Sequence, residues 1–308
     1  MVTVAVAGGL GHIGHSIVAA LKESPKHRVI VLAREVEPDP DAEAPVFKAH
    51  YESIEELTKV LVDNDVHTVI SAIKVLNEDA GRAEMNLVKA ASNAGCTQRF
   101  IASDWGFPIP EGAVLPQQTL RDANCAVLRG SGLEWTRFYN GFLLDYYGIP
   151  HIKTHMDPCP FVVDMEHKVV ALPGTGNDRM TWTYSVDLAR FVVASLDLPK
   201  WEEVTYCYGD KMTWKEFLSL AEEARGTKFT VTYDDVQMLE QGRVTELPSQ
   251  KILYQYAPRS LLEPMFAQFE LFITRGCFDL PEHKRLNQVF PEIKVTGVKE
   301  MLSVWRGR

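Results

Sequence analysis

A glycine-rich segment follows the first apolar run of the chain and is the clearest chemical feature of the sequence. It reads Gly8-Gly9-Leu10-Gly11-His12-Ile13-Gly14. This order satisfies both the G-x-G-x-x-G and the G-x-x-G-x-x-G spacing. Glycines let the backbone approach a pyrophosphate, and the following helix N-terminus offers free N–H groups to the anion. Because an apolar strand precedes the segment and an apolar helix follows it, we predict a dinucleotide-binding loop in preference to a merely structural turn.

The type of dinucleotide is indicated by the residue at the end of the second predicted strand. Arg34 lies twenty residues beyond Gly14, where a cofactor without a 2′-phosphate is usually met by Asp or Glu. A guanidinium group suits a phosphate, so we predict NADP(H), with Arg34 bound to the 2′-phosphate. Neighbouring Glu35 is the alternative partner for the ribose. His12 and His15 could touch phosphate, although a solvent-facing position explains them better.

Three further side chains could take part in chemistry. Lys74 follows the fourth predicted strand, at the carboxyl edge of the sheet where open α/β folds bind ligands. Asp104 could act as an acid or a base, and capping of the following loop explains it equally well. Tyr139 belongs to an aromatic cluster that could line a flat apolar substrate pocket or pack in the core. No metal site is predicted, because His151 and His155 lack an accompanying Cys or Glu ligand set.

These residues must be positioned by the elements around them. Up to about residue 140, short apolar runs alternate with amphipathic stretches, which is typical of βαβ units around a parallel sheet. The predicted strands are residues 2–7, 28–32, 46–49, 67–72, 99–103 and 133–139. The pattern predicts an α/β fold, namely a Rossmann-like doubly wound parallel sheet followed by a smaller, mixed and mainly helical C-terminal part.

The pattern becomes mixed after residue 140. A hairpin is predicted from residues 168–172 and 180–184, with Ser185 capping the next helix. Thr213 and Glu216 form a capping box for a helix that Gly226 ends. The acidic, proline-rich segment 35–45 is predicted to be a surface loop. We expect residues 1–150 to form the cofactor-binding domain, with its sheet completed by later segments, and residues 151–308 to form a second, smaller lobe.

Composition excludes several classes of protein. The chain has 308 residues, of which 46% are apolar and 24% charged, as in ordinary globular proteins. Its net charge of −9 disfavours nucleic acid as a partner. No apolar run is long enough to span a membrane, and no basic leader opens the chain. Five scattered cysteines without a C-x-x-C motif predict free thiols in a cytoplasmic protein. The sequence is also compatible with a homo-oligomer.

Several segments resemble the NmrA-like and isoflavone-reductase-like branch of the atypical short-chain dehydrogenases, especially its fungal members. They are residues 8–14, 31–34, 71–73, 94–106, 140–142 and 185–190. The segment 94–106, AGCTQRFIASDWG, is similar to the AGV-x-RF-x-PSEFG segment of that family. The resemblance covers nearly the whole chain. It implies an NADP(H)-binding domain, a smaller C-terminal substrate-binding lobe over residues 151–308, and a small organic substrate in the cleft between them. It also implies that Ser71, Ala72, Ser103 and Trp105 line the nicotinamide end.

One position departs from the family pattern. The reductases of this family carry a catalytic lysine one helix before the sixth strand, and the corresponding residue here is Arg121. No lysine occurs anywhere between Lys89 and Lys153. Arginine stays charged, so Arg121 can bind an oxyanion or a carboxylate but is a poor proton donor.

The leading hypothesis is an NADPH-dependent reductase of a C=C or C=O bond in a small, aromatic or polyketide-like secondary metabolite. Arg121 or a pocket tyrosine such as Tyr139 would stabilise the developing oxyanion. One alternative is a catalytically silent NADP(H)-binding redox sensor or regulator, which the missing lysine favours. Another is a non-redox isomerase, dehydratase or cyclase on the same fold.

Overall fold

The computed structural model describes residues 2–36, 44–110 and 115–308, so residues 37–43 of the predicted surface loop lie outside the described part. The strands are β1 Val2–Ala7, β2 His27–Ala33, β3 Val46–Lys48, β4 Val66–Ser71, β5 Arg99–Ile101, β6 Glu134–Tyr139, β7 Phe142–Leu143, β8 Val163–Asp164, β9 Val169–Pro173, β10 Arg179–Thr183, β11 Val204–Tyr206, β12 Asp210–Thr213 and β13 Thr230–Asp234. The helices are α1 His12–Glu23, α2 Ile54–Asp63, α3 Glu78–Asn93, α4 Pro116–Arg129, α5 Ser185–Ser195, α6 Trp214–Arg225, α7 Val236–Glu240, α8 Arg259–Thr274, α9 Leu286–Val289 and α10 Val298–Leu302.

Seven strands form one sheet in the order β11-β6-β5-β4-β1-β2-β3, and each adjacent pair is parallel. Residues 4–7 and 29–32, in β1 and β2, are buried, as expected for a parallel sheet covered on both faces. The strand order reverses between β1 and β4, so the connections after these two strands diverge at the carboxyl edge. Such a switch point is where open α/β sheets bind ligands.

Helices cover both faces of this sheet. On one face α1 packs against α5, where Ile17, Leu21, Leu188 and Val192 belong to one buried cluster. On the other face α3 packs between α2 and α4, and their apolar side chains form a second cluster with the strands. The predicted Rossmann-like fold is therefore confirmed, since a parallel sheet with helices on both faces is its defining architecture.

The six predicted strands of the first half are all present, with ends that differ by one or two residues. The seventh, β11, comes from the C-terminal half and pairs with β6 through Val204 and Arg137. Helix α5 also comes from that half. Elements from beyond residue 150 thus complete the sheet, and the division into residues 1–150 and 151–308 stays a proposal.

The predicted hairpin is wrong. Both strands exist, as β9 and β10, but they lie in different three-stranded sheets. β9 pairs with β8 and β13, whereas β10 pairs with β7 and β12. Gly174 donates its N–H to Asp234 O at 2.8 Å, so the turn after β9 is bonded to the end of β13. The residues between β9 and β10 do form a turn, but each strand pairs with strands from distant parts of the chain instead of with the other.

Helix ends follow the sequence in α6 but not in α5. The capping box of Thr213 and Glu216 is present, and Gly226 ends α6 in the left-handed region at φ +64°. Ser185 is the first residue of α5 rather than its cap. Its N–H and hydroxyl both donate to the buried Asp145 carboxylate, at 2.9 and 2.6 Å. A distant carboxylate thus replaces the expected local cap.

The remaining C-terminal elements form the lobe beside the sheet. Its core is rich in aromatic side chains, including Trp182, Trp214, Phe217 and Phe272, all fully buried. The five cysteines are unpaired thiols. In the part of the chain that the structure describes, no helix is both long and apolar enough to cross a membrane.

Candidate functional site

The glycine-rich loop connects β1 to α1 at the carboxyl edge of the sheet. A Cβ atom on Gly8, which has φ +76°, would lie 2.7 Å from Ala72 O. A Cβ on Gly14 would lie only 2.2 Å from Gly8 O. The first and last glycines are therefore required for the loop to close on itself and to pack against the end of β4.

Gly11 differs from these two glycines, because the space next to it is open. Among the described residues other than its chain neighbours, the only atom within 4 Å of a Cβ there would be Gly8 O, at 3.9 Å. Leu10 is 58% exposed, and Gly11 is the N-terminal cap of α1 without a side-chain hydrogen bond. An open backbone cradle at a helix N-terminus fits the pyrophosphate of a dinucleotide. A side chain on Gly11 would fill that space.

The two histidines of the first helical turn contact a distant segment. His12 Nε2 lies 2.8 Å from Asp157 Oδ2, and the His15 ring stacks on the His155 ring with centroids 3.7 Å apart. From the sequence we considered a phosphate contact and a solvent-facing position for these histidines, and we did not predict the contact with residues 155–157. Residues 155–157 thus lie against the first turn of α1, next to the loop that holds Gly11.

Arg34 follows the last residue of β2 and is exposed, as is Glu35. Neither side chain forms an ion pair with another described residue. Burial raises the pKa of Tyr51, and the positive charge of nearby Arg34 opposes that rise. The guanidinium group is therefore accessible at the strand end where the sequence places a 2′-phosphate.

The four residues expected at the nicotinamide end lie together beside the loop. Ala72 is in contact distance of Gly8, and Trp105 Nε1 donates to Ser71 O at 3.1 Å. Ser103 Oγ donates to Ile73 O at 2.7 Å. These bonds join the ends of β4 and β5 beside the glycine-rich loop, and on the resulting surface Ala72 and Trp105 are partly exposed whereas Ser71 and Ser103 are buried beneath it.

A buried glutamate behind this surface was missed by sequence reasoning. The Glu84 carboxylate on α3 is 1% exposed, accepts the Ser103 N–H at 2.7 Å and accepts Asn124 Nδ2 at 2.8 Å. Burial raises the pKa of Glu84, and these hydrogen bonds oppose the rise. Helical spacing could have indicated that Glu84 is buried. It lies three and four residues before the buried Leu87 and Val88, and therefore on the apolar face of α3.

Three of the four predicted catalytic residues are linked in one polar cluster. Asp104 is 2% exposed and its carboxylate lies 3.5 Å from Arg121 Nη1 and 3.1 Å from Arg137 Nη1. The Arg137 guanidinium lies over the Tyr139 ring, 5.1 Å from its centroid. Arg137 itself was missed, although a charged residue between the buried Trp135 and Tyr139 of β6 is a recognisable departure from the strand pattern.

The charges of this cluster are balanced. Burial raises the pKa of Asp104, and the two arginines oppose the rise. Asp122 Oδ1 also lies 3.7 Å from Arg137 Nη1. Burial further raises the pKa of Tyr139, so that its phenol stays protonated at neutral pH. The arrangement can orient a fixed cation, Arg121, toward a developing negative charge, and that charge would compete with Asp104.

Lys74 lies apart from this cluster. It is exposed on the connection after β4. Burial raises the pKa of the Cys159 thiol to about 12, and the positive charge of Lys74 opposes that rise. Among the described residues, the ion-pair partners of Asp104 are Arg121 and Arg137, not Lys74. No group of three His, Cys, Asp or Glu among the described residues is arranged to hold a metal ion.

Comparison with known proteins agrees with this geometry. The model of the NmrA-like family matches residues 2–272. This chain belongs to the NmrA-like family. The resemblance seen in the sequence is thereby confirmed.

Relatives within and around the NmrA-like family carry names of oxidoreductases. Oxidoreductase swnN of Metarhizium robertsii is 31% identical, over 97% of this chain and 96% of that protein. Isoflavone reductase homolog A622-like of Nicotiana tabacum is 22% identical over 96% and 95% of the two chains. The solved structure of AtPrR2 with NADP+ and (+)pinoresinol has a TM-score of 0.75 at 18% identity and covers 99% of this chain and 98% of its own. That likeness shows a shared fold.

Proposed function

We propose that this protein is an NADP(H)-dependent oxidoreductase that reduces a C=C or C=O bond of a small, ring-bearing secondary metabolite. The observation that carries the proposal is the glycine-rich loop with open space above Gly11 and an exposed Arg34 at the neighbouring strand end. Relatives named oxidoreductases, and a fold shared with a protein solved with NADP+, support it.

Each part of the cofactor has residues that fit it. The backbone N–H groups around Gly11 would hold the pyrophosphate, with His12 beside them, while Arg34 would hold the 2′-phosphate. The surface of Ser71, Ala72, Ser103 and Trp105 would support the nicotinamide. Gly8, Gly9, Leu10, Ile13 and Gly14 complete the loop. When bound, the reduced nicotinamide supplies the hydride.

This chain's own contribution is electrostatic. Arg121 is held by Asp104, and Asp104 is held in turn by Arg137, so the guanidinium needs little reorganisation when charge develops on a substrate oxygen. Arginine does not release a proton at neutral pH. The proton for the product therefore comes from another group, for which Tyr139 and solvent are the candidates.

The test is turnover. Purified protein is incubated with NADPH and a panel of cyclic and aromatic enones and ketones, and the absorbance of the reduced nicotinamide is followed. We expect loss of absorbance with ring-bearing members of the panel. Binding of NADPH by calorimetry without consumption in any mixture contradicts the reductase.

A second function is favoured by one observation, the ion pair between Arg121 and Asp104. In a protein whose cation is already neutralised by a carboxylate, NADP(H) binding without turnover would make the chain a redox sensor or regulator. The same experiment separates the two functions, because a regulator binds NADPH and NADP+ and consumes neither.

A further inference from the structure

A cavity of about 410 Å³ lies in the C-terminal lobe. Its walls are mostly apolar and include Tyr146, Ile149 and Trp305, together with the prolines at positions 150, 158 and 160. Small-molecule sites typically enclose roughly 300 to 1,000 Å³ and are lined in this way. Rigid proline and aromatic walls suit a flat, ring-bearing ligand.

One end of this cavity is polar and ordered by a buried carboxylate. Asp164 is 2% exposed and accepts the N–H and the hydroxyl of Ser249 at 2.9 and 3.0 Å. It also lies 3.1 Å from His167 Nδ1. A carboxylate accepts hydrogen bonds, so its contact with Nδ1 places the proton of an uncharged imidazole on Nδ1 and leaves Nε2 as the acceptor.

His167 Nε2 is the group that a ligand would meet. Among the described residues, none is hydrogen-bonded to this nitrogen, whereas Nδ1 contacts both Asp164 and Ser249. His167 lines the cavity, and the other titratable groups lining it are Tyr146, Cys159, Asp164 and Glu166. Without a lysine or arginine in its walls, the cavity disfavours an anionic ligand and favours an uncharged one that donates a hydrogen bond.

One wall of the cavity follows directly in the chain from a contact with the proposed cofactor site. Pro158 and Cys159 line the cavity, and the preceding residue, Asp157, lies 2.8 Å from His12 Nε2 at the glycine-rich loop. Two larger cavities, of about 610 and 560 Å³, are lined by Lys26 and His27, at the opposite edge of the sheet.

We propose that this cavity holds the organic substrate, and that the substrate is an uncharged ring-bearing molecule whose hydroxyl group donates to His167 Nε2. The inference rests on the proposed reductase function. Asp164 and Ser249 are positioning residues, since they fix the tautomer and the orientation of the imidazole. His167 determines specificity.

The experiment uses two probes, 4-phenyl-3-buten-2-one and its 4-hydroxyphenyl counterpart, with the full-length protein saturated with NADP+. Ile252 lines the cavity and is 46% exposed, so Ile252→Trp adds bulk at its mouth without disturbing the core. Leu261→Trp is the matched control, because Leu261 is 66% exposed on α8 and does not line the cavity. We expect calorimetry to show at least a tenfold weaker affinity for both probes in Ile252→Trp and less than a twofold change in Leu261→Trp.

His167→Phe tests the hydrogen bond, because it keeps a ring of similar size and removes the acceptor. A neutral hydrogen bond contributes enough for roughly a three- to tenfold difference in affinity. The wild type should prefer the hydroxylated probe by that factor, and His167→Phe should lose the preference while binding the parent probe equally well. A preference that survives in His167→Phe overturns the assignment of the hydroxyl partner.

Failure of the cavity and failure of the reductase give different results. If neither probe saturates the wild type, or if Ile252→Trp binds both as the wild type does, the cavity is not the substrate site. If Ile252→Trp blocks the probes but the wild type never consumes NADPH with either of them, the reductase function fails and the cavity is a ligand site without turnover. NADPH consumption that is unchanged in Ile252→Trp keeps the reductase and rejects the cavity.

Discussion

The guanidinium group of Arg121 lies 3.5 Å from the carboxylate of Asp104, in a cluster that joins α4 to the end of β5. Arg137 of β6 approaches the other carboxylate oxygen at 3.1 Å. A buried carboxylate that contacts two arginines fixes both side chains, and it also neutralises part of their charge. Arg121 is consequently well oriented but already partnered, which makes its contribution to a reaction measurable by substitution.

Arg121→Ala should lower kcat/KM of the proposed reduction by about 100- to 1,000-fold, which is the cost of removing one donor to an oxyanion. Arg121→Lys should retain only part of the wild-type kcat/KM, because an ammonium group keeps the positive charge but not the planar pair of hydrogen-bond donors. Arg129→Ala is the control, since Arg129 is on the same helix but pairs with Glu203 at the surface. Unchanged kinetics in both Arg121 variants would assign the chemistry to another group, such as Lys74 or Tyr139.

Arg34 should decide the choice of cofactor. Arg34→Ala removes a charge-assisted hydrogen bond of roughly 1.5 to 3 kcal/mol, so calorimetry should show NADPH affinity weaker by about one to two decades. NADH affinity should change little. Arg28→Ala is the matched control, because Arg28 is an exposed arginine near the other end of β2. Equal losses for NADPH and NADH contradict a 2′-phosphate contact.

The parallel sheet could be predicted because the strand, helix and strand of a βαβ unit follow one another in the sequence, so the alternating pattern is visible locally. β11 could not, since Val204–Tyr206 is three residues long and is stabilised by its partner β6 rather than by its own pattern. The hairpin prediction failed for a related reason. Its turn signal is local, whereas the pairing of β9 with β13 and of β10 with β12 joins segments that are far apart in the chain.

The candidate site likewise has features that the local sequence predicts and contacts that it does not. The positions of the glycine-rich loop and of Arg34 follow from spacing along one βα unit, so the sequence predicts where they lie, and their roles in cofactor binding stay predictions. The contact of Asp157 with His12 joins residues 145 positions apart, and the contact of Arg137 with Asp104 joins residues 33 positions apart. Such pairs follow from the packing of the lobe and the helices, which no local pattern encodes.

Gly11→Val should abolish NADPH binding and leave the fold intact. The space beside Gly11 is open to solvent, so a branched side chain fits in the free protein and blocks only the pyrophosphate. Gly14→Ala should instead destabilise the loop itself, because its Cβ would lie 2.2 Å from Gly8 O. Thermal unfolding monitored by circular dichroism and NADPH calorimetry separate the two effects. Normal NADPH binding by a folded Gly11→Val protein contradicts a cofactor role for the loop.

Glu84 should matter for stability through two buried hydrogen bonds. Glu84→Ala leaves the Ser103 N–H and the Asn124 amide without their acceptor, so urea unfolding should show a loss of about 2 to 4 kcal/mol. Glu84→Gln should cost much less. Asn124 Oδ1 is buried and has no hydrogen-bond partner among the described residues, so a flipped Asn124 amide can accept from the new Gln side chain. Equal losses in both variants would show that the charge of Glu84, rather than its hydrogen bonds, stabilises the fold.

Two half-buried histidines, His27 and His67, lie at the amino edge of the sheet and should make the protein sensitive to mild acid. Burial is the largest cause that lowers the pKa of both His27 and His67 from the ordinary value of 6.5. Both ring nitrogens of His27 are buried without a hydrogen-bond partner in the part of the chain that the structure describes, and Asp197 Oδ1 is 4.0 Å from Nε2. The folded state therefore resists protonation of these rings more than the unfolded state does.

The sign of the effect follows from proton binding. Above about pH 6.5 both states carry neutral rings, and the free energy of unfolding is unaffected by these groups. As the pH falls below that value, the unfolded state takes up protons first and the free energy of unfolding decreases until the lowered folded pKa values are reached. Urea unfolding at pH 7.5 and 5.5 should show this decrease, and His27→Asn should reduce it. His283→Asn, at an exposed position, should leave it unchanged. A pH dependence that is identical in wild type and His27→Asn would mean that water or ions enter the amino edge and solvate the ring in the folded protein.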